Sequence, residues 1–257
     1  MVLSATAQKF MPASLNEMNL QWNIKNAPAR YAFGIWGVIY FLLAIFTVYQ
    51  ALPNKWVPSR NNELIFGTIK YWYAVNMTLN AVWLILFMLN GTLGFSLAGI
   101  DIILMLLSQF YIMRKCCEVK VNVIEFVAIR IGMTLYTGWV TAATILGVTF
   151  FLMSVGMKNP NAGFDETTWC VIVFYVALVI YVAASFYERN PLYAAVYVWV
   201  LFGIKANQTP YSDIQTNAII CVVLTILSVV SIAGYSIYEM KNVTIKKGLF
   251  YKIEMGM

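Results

Sequence analysis

The sequence predicts an all-α membrane protein, a bundle of seven transmembrane helices with its N-terminus outside and its C-terminus inside. Three observations lead there. Hydrophobic residues make up 61% of the 257 and charged residues 11%, with a mean hydropathy of +0.73, whereas about a quarter of a soluble domain is charged. The apolar residues fall into seven segments, Tyr31–Leu52, Ile69–Leu89, Leu93–Met113, Val123–Met153, Thr168–Tyr187, Pro191–Ile204 and Asn217–Tyr238, most of them long enough for a helix to cross the hydrocarbon layer. The basic residues sit between them on alternate sides. With the N-terminus outside, Lys55, Arg60, Lys70, Arg114, Lys115, Lys120, Arg189, Lys241, Lys246, Lys247 and Lys252 lie inside, against Lys9, Lys25, Arg30, Lys158 and Lys205 outside, which is the bias that fixes topology.

Taken in order, residues 1–30 form a non-membrane segment with no long apolar core and no recognisable secretory signal. The first apolar segment carries Trp36 and Tyr40. The second places Asn76 and Asn80 one helical turn apart, with Trp83 near the next turn. Such amides suit hydrogen bonding between helices; an amide beside an indole also suits a pocket, one fixing a polar group and the other covering a flat ring. Asn90-Gly-Thr joins the second and third segments as a tight antiparallel hairpin. Asp101 lies deep in the third segment and Arg130 enters the fourth from the inner side. An intramembrane carboxylate invites a partner: a buried Asp101–Arg130 pair is expected if the arginine stem reaches inward, the alternative being a carboxylate bonded to backbone and water.

The fourth segment is the centre of the predicted bundle. At helical spacing Arg130, Thr134, Thr137, Thr141 and Thr144 share one stripe, and Gly138 with Ala142 and Ala143 with Gly147 form two small-xxx-small pairs. That face belongs against other helices or a cavity, where small residues admit close neighbours. The sixth segment, at fourteen residues, reaches only about 21 Å and is the weakest span. The transmembrane domain covers residues 31–238, and a basic tail, 239–257, follows. Trp22, Trp56 and Trp169 suit interfacial belts, whereas Trp36, Trp83, Trp139 and Trp199 lie inside segments and are pocket candidates.

Composition also excludes. There is no histidine, so histidine-ligated haem, the usual catalytic zinc sites and a histidine base are out of reach. The cysteines, Cys116, Cys117, Cys170 and Cys221, lack metal-ligand spacing. The net charge of +6 comes from segment flanks and points to topology rather than to nucleic acid. A retinal protein is excluded because the last segment has no lysine for a Schiff base. Of the Asn-x-Ser/Thr sequons at Asn76, Asn90, Asn207 and Asn242, only Asn90 and Asn207 would face outward, too close to the membrane for a glycan.

Several runs resemble a known family. Ala32-Phe-Gly-Ile-Trp-Gly-Val-Ile-Tyr40, Asn80-Ala-Val-Trp83, Asp101 and Leu135-Tyr-Thr-Gly-Trp-Val-Thr-Ala-Ala-Thr144 look like the TspO, or translocator protein, family, more closely its longer tryptophan-rich sensory protein branch. A fainter likeness reaches Trp199-Val-Leu-Phe-Gly-Ile204. The resemblance implies that the first four segments correspond to the second to fifth helices of the family core, its first helix being absent. It implies an aromatic pocket for a flat apolar ligand such as a tetrapyrrole, a sterol or another lipid, with Trp36, Tyr40, Asn80, Trp83, Tyr136 and Trp139 as ligand-binding positions. It also implies that something else closes the side left by the absent helix.

The leading expectation is therefore a non-enzymatic membrane protein that binds or carries such a molecule. The alternative is a structural or accessory subunit of a larger membrane complex, with no ligand chemistry of its own. Expected partners are lipid, a small apolar ligand, subunits of such a complex or a second copy of the chain, and the family resemblance points to a mitochondrial membrane. A proton-coupled transporter using Asp101 and Arg130 ranks third, because internal repeats are not visible.

Overall fold

The computed structural model describes residues 24–89, 91–119, 122–156 and 165–254, with side chains described except at 128 and 239–254. The described residues are helical, without strands. A 3-10 turn, Arg30–Gly34, runs into α1 (Ile35–Ala51). A π-helix, Glu63–Ile69, precedes α2 (Trp72–Met88), and α3 (Gly91–Glu118) follows at once. A short helix, Val123–Glu125, and a π-helical run, Phe126–Ile131, lead into α4 (Gly132–Ser154). Then come α5 (Glu166–Tyr187), α6 (Pro191–Asn207) and the long α7 (Ser212–Glu254). Of the residues singled out above, Lys9, Trp22, Asn90, Lys120 and Lys158 lie outside the described residues, as does most of segment 1–30.

Five stretches are long and apolar enough to cross a membrane: Arg30–Ala51, Gly91–Glu118, Val123–Ser154, Glu166–Tyr187 and Ser212–Tyr238. They become six if the π-helix and α2 count as one span. The expected second segment, Ile69–Leu89, is one helix from Trp72 to Met88, and a bend precedes it. The chain bends by 64° between Ile69 and Trp72, with Lys70 at a φ of 44°, a conformation that an L-residue avoids inside a helix. α6 has 17 residues, three beyond the apolar segment, for about 26 Å of helix. Its ends are fixed by short connections: Pro191 supplies the first turn after Asn190, and α7 begins five residues after Asn207, at Ser212. At the start of α5 the Asp165 side chain accepts from the Thr168 backbone N–H at 2.8 Å. Hydrogen bonding with Thr168 holds that carboxyl below its ordinary value, as expected of a helix N-cap.

α4 is enclosed by its neighbours, and its glycines show how. A Cβ on Gly132 would stand 3.1 Å from Leu42 Cβ of α1, and one on Gly138 would stand 2.8–2.9 Å from Val196 of α6. The Gly138 carbonyl also accepts a hydrogen bond from the Tyr181 hydroxyl of α5. The threonine stripe faces protein, as expected: Thr134, Thr137 and Thr141 are buried. Thr137 returns its hydroxyl to Met133 O at 2.6 Å and Thr144 to Val140 O at 2.8 Å. Thr134 accepts from Asn190 at 2.7 Å, and Thr141 meets Tyr193 at 2.7 Å, both across to the α6 side.

At the other end of α1, towards Arg60, a polar knot ties the loops together. Arg60 donates to the carbonyls of Tyr49, Gln50 and Leu52 at 2.7–3.1 Å, closing the end of α1. Buried Glu125 accepts from Tyr49 Oη, Asn61 N and Asn122 N, and Asn122 and Glu125 cap each other. In the α5–α6 connection, burial pushes the Glu188 carboxyl up and the nearby Arg114 charge opposes it.

Gly138 should be the more demanding glycine. Gly138→Ala is expected to lower stability by about 1–3 kcal/mol through overpacking, while Gly99→Ala, whose Cβ meets nothing within 4 Å, leaves it unchanged or raised. Unfolding of both variants in mixed micelles measures the difference; equal stabilities would remove the close α4–α6 contact.

Candidate functional site

Sequence order scatters the six pocket candidates over α1, α2 and α4, and the fold gathers them. Trp36 is the joint: its ring stacks on Tyr40 at 5.0 Å and 15°, lies 5.9 Å from Tyr136, and meets Trp139 edge-on at 6.4 Å. Beside it the polar candidates form one connected layer. Tyr40 Oη donates to Asn80 Oδ1 at 3.0 Å, while Asn80 Nδ2 and Tyr136 Oη both approach Met105 Sδ, at 3.6 and 3.3 Å. Asn76 is spent on α3, donating to Met105 O and Ser108 Oγ at 2.8 and 2.7 Å. This is the interhelical role.

On the other side of Trp36 the helices leave a cavity of about 130 Å³. Trp36, Trp83 and Trp139 line it, whereas Tyr40, Asn80 and Tyr136 do not and instead support it from the adjoining layer. The expected walls were the first four helices. α3 is absent from the lining; the segment before α1, with Asn26, Pro28 and Arg30, contributes, and so do α5 and α6 through Phe174, Tyr181, Tyr197 and Ile204. The threonine stripe faces α6 rather than the cavity, and the neighbouring face of α4, with Ala142, Ala143 and Gly147, forms the wall. α5 and α6 thus complete the cavity wall. The sequence held one signal for this, the faint likeness around Gly203: a Cβ there would meet Ala32 and Pro28 at 2.8–2.9 Å, and Ala29 N donates to Gly203 O at 2.9 Å. Only glycine lets the segment before α1 lie so close on α6.

Two expectations are corrected. Trp199 is not in the cavity; it is 39% exposed, with its indole N–H donated to Ala32 O at 2.9 Å. Nor do Asp101 and Arg130 form a buried charge pair. The half-buried Arg130 donates to the carbonyls of Cys116, Cys117 and Val119 at 2.6–3.2 Å, around the end of α3. Asp101 lies fifteen residues before Cys116 on that helix, about 22 Å away, and its buried Oδ2 has no hydrogen-bond partner. A guanidinium finds a row of unpaired carbonyls at a helix C-terminus closer than any carboxylate.

Fold and cavity together define a class: a multi-pass helical membrane protein with an aromatic-walled chamber between its helices. Within that class the chain belongs to the TSPO-like protein family, whose profile matches residues 1–231. The match runs into α7, so α5 and α6 fall within the family region. None of the curated proteins and none of the solved structures compared with the chain matches it.

If Arg130 acts as a cap, Arg130→Met should cost about 2 kcal/mol, the scale of lost hydrogen bonds to a charged group. Asp101→Asn should change that cost by no more than about 0.5 kcal/mol, since distant sites add. A double-mutant cycle on unfolding free energies measures this, and a coupling above about 1 kcal/mol would restore the pair.

Proposed function

We propose that the protein is a non-enzymatic membrane binder or carrier that takes a flat apolar small molecule into the cavity between α1, α2, α4, α5 and α6. The observation that carries this reading is the lining: three indoles, Trp36, Trp83 and Trp139, and three small residues, Ala142, Ala143 and Gly147, border one space. Aromatic walls around a concave apolar space are the usual form of a small-molecule site. At about 130 Å³ the chamber compares with an engineered cavity of about 150 Å³ that admits benzene. It therefore suits one ring at a time. The whole body of a sterol or tetrapyrrole enters only if α5 and α6 part from α1 and α4.

For topology we propose seven spans with the N-terminus outside. α6 supports this: its first residues lie near Thr134 and Cys117, its last near Ala27, and it runs from the inner to the outer polar ends. Arg60, Arg114, Arg130 and Arg189 gather at one end, Lys25, Arg30 and Lys205 at the other.

The binding test uses a brominated single-ring hydrocarbon, bromotoluene, as a heavy-atom quencher of tryptophan fluorescence. Saturable quenching is expected, and Ala143→Phe, which fills the chamber, should abolish it at an unchanged melting temperature. Quenching that never saturates, or that survives Ala143→Phe, would sink the reading.

A second reading, an accessory subunit of a membrane complex, has its own observation. A groove of about 850 Å³ runs between α5 and α7, lined by Leu178, Val182, Phe186, Leu224 and Ser228, and a partner helix would fill it. Extraction from the native membrane in mild detergent should then leave the chain comigrating with a large assembly, and a lone monomer would count against it.

A further inference from the structure

The cavity's polar atoms differ in whether they are already engaged. Asn26 donates to Thr149 Oγ1 at 2.9 Å and Asn207 to Ala27 O at 3.0 Å. The tyrosine hydroxyls in the lining are spent on protein carbonyls, Tyr181 on Gly138 and Tyr197 on Phe174. Two lining groups keep donors unengaged. Arg30, exposed at the start of the 3-10 turn, makes no hydrogen bond or ion pair with another described residue. Trp139, 2% exposed, has a buried indole N–H without a partner. A buried donor left unpaired is costly and is normally satisfied by protein, water or ligand.

We infer that the cavity is built for an apolar molecule with an oxyanion head, its ring or chain among Trp36, Trp83 and Trp139 and its head paired with Arg30 at the mouth. The cavity reaches the surface where Arg30 and Asn207 lie, since both line it and both are exposed. An amphiphile therefore places its charge in water or headgroups while its body stays inside. Arginine presents a planar fork of donors that matches a carboxylate or phosphate. This inference rests on the binding reading above and adds the ligand's chemical class. An oxyanion on an apolar body describes a free carboxylic acid as well as the phosphate and acyl chain of a membrane lipid, and the experiment separates the two.

The full chain in nanodiscs is titrated with 4-bromophenylacetate and, separately, with its uncharged methyl ester. Tryptophan quenching is read after subtracting the Ala143→Phe variant, in which the chamber is blocked. The acid is expected to half-saturate at about fivefold lower concentration than the ester, the effect of one exposed but well-oriented charge pair. Arg30→Gln should erase that preference and Arg30→Lys retain part of it. Because Arg30 is exposed and makes no hydrogen bond or ion pair with another described residue, neither variant threatens the fold.

Equal half-saturation for acid and ester in the unaltered chain, or a preference that survives Arg30→Gln, overturns the oxyanion inference and leaves the binding reading standing. Failure of both probes to quench saturably is instead the failure of the binding reading itself. Nanodiscs of tail-brominated phosphatidylglycerol identify the source. Quenching from that lipid, sensitive to both Ala143→Phe and Arg30→Gln, supports a bilayer phosphate, whereas its absence alongside acid binding supports a free carboxylate.

Discussion

The bundle depends on the contact at Gly138. Between helices in a membrane, association draws on close packing and hydrogen bonds, because lipid tails offer apolar side chains as good a solvent as each other. Gly138 supplies both: its missing Cβ admits Val196 of α6, and its carbonyl receives Tyr181 of α5. Two helices are thus anchored to one residue of α4. One turn further along, the lining changes to Ala142, Ala143 and Gly147, but α5 and α6, already fixed, do not close in. The chamber is therefore the space left after one tight contact is followed by another set of small side chains with no partner to meet them.

Elsewhere the fold handles charge by giving arginines to helix ends. Arg60 sits on the last carbonyls of α1, and Arg130 on those of α3. The guanidinium carries five donors in a plane, so one side chain satisfies several of the carbonyls that a helix terminus leaves open. Each is thereby held by carbonyls rather than by a carboxylate among the described residues. Asp101 is left out of this scheme, which is why depth in the membrane and adjacency in sequence predicted its partner wrongly.

Several features were legible because a one-dimensional pattern determines them. Hydropathy marks the spans, and the stripe from Thr134 to Thr144 is too polar for lipid, so enclosure of α4 followed. Trp36, Trp83 and Trp139 stood out as indoles away from the interface. The division between lining and support was not legible: Tyr40 stands one turn from Trp36 and Tyr136 three residues from Trp139, so the same stripe serves both the cavity and the layer behind it. The short helix Glu63–Ile69 and the bend after it were not read, because the apolar run between Glu63 and Lys70 is too short to mark a span. Arg30 was read only as a topology charge, since its place at a cavity mouth depends on α6 folding back against Pro28 and Ala29.

The wall that α4 presents bears on whether the chain is a binder or only a packing element. A helix whose sole duty was to pack would carry larger side chains at Ala142, Ala143 or Gly147, and unlike Gly138, Gly147 has nothing within 4 Å of where its Cβ would stand. Small residues kept along a space that Trp36, Trp83 and Trp139 also border, with the Arg30 cation at its mouth, are better matched to a guest than to a neighbouring helix.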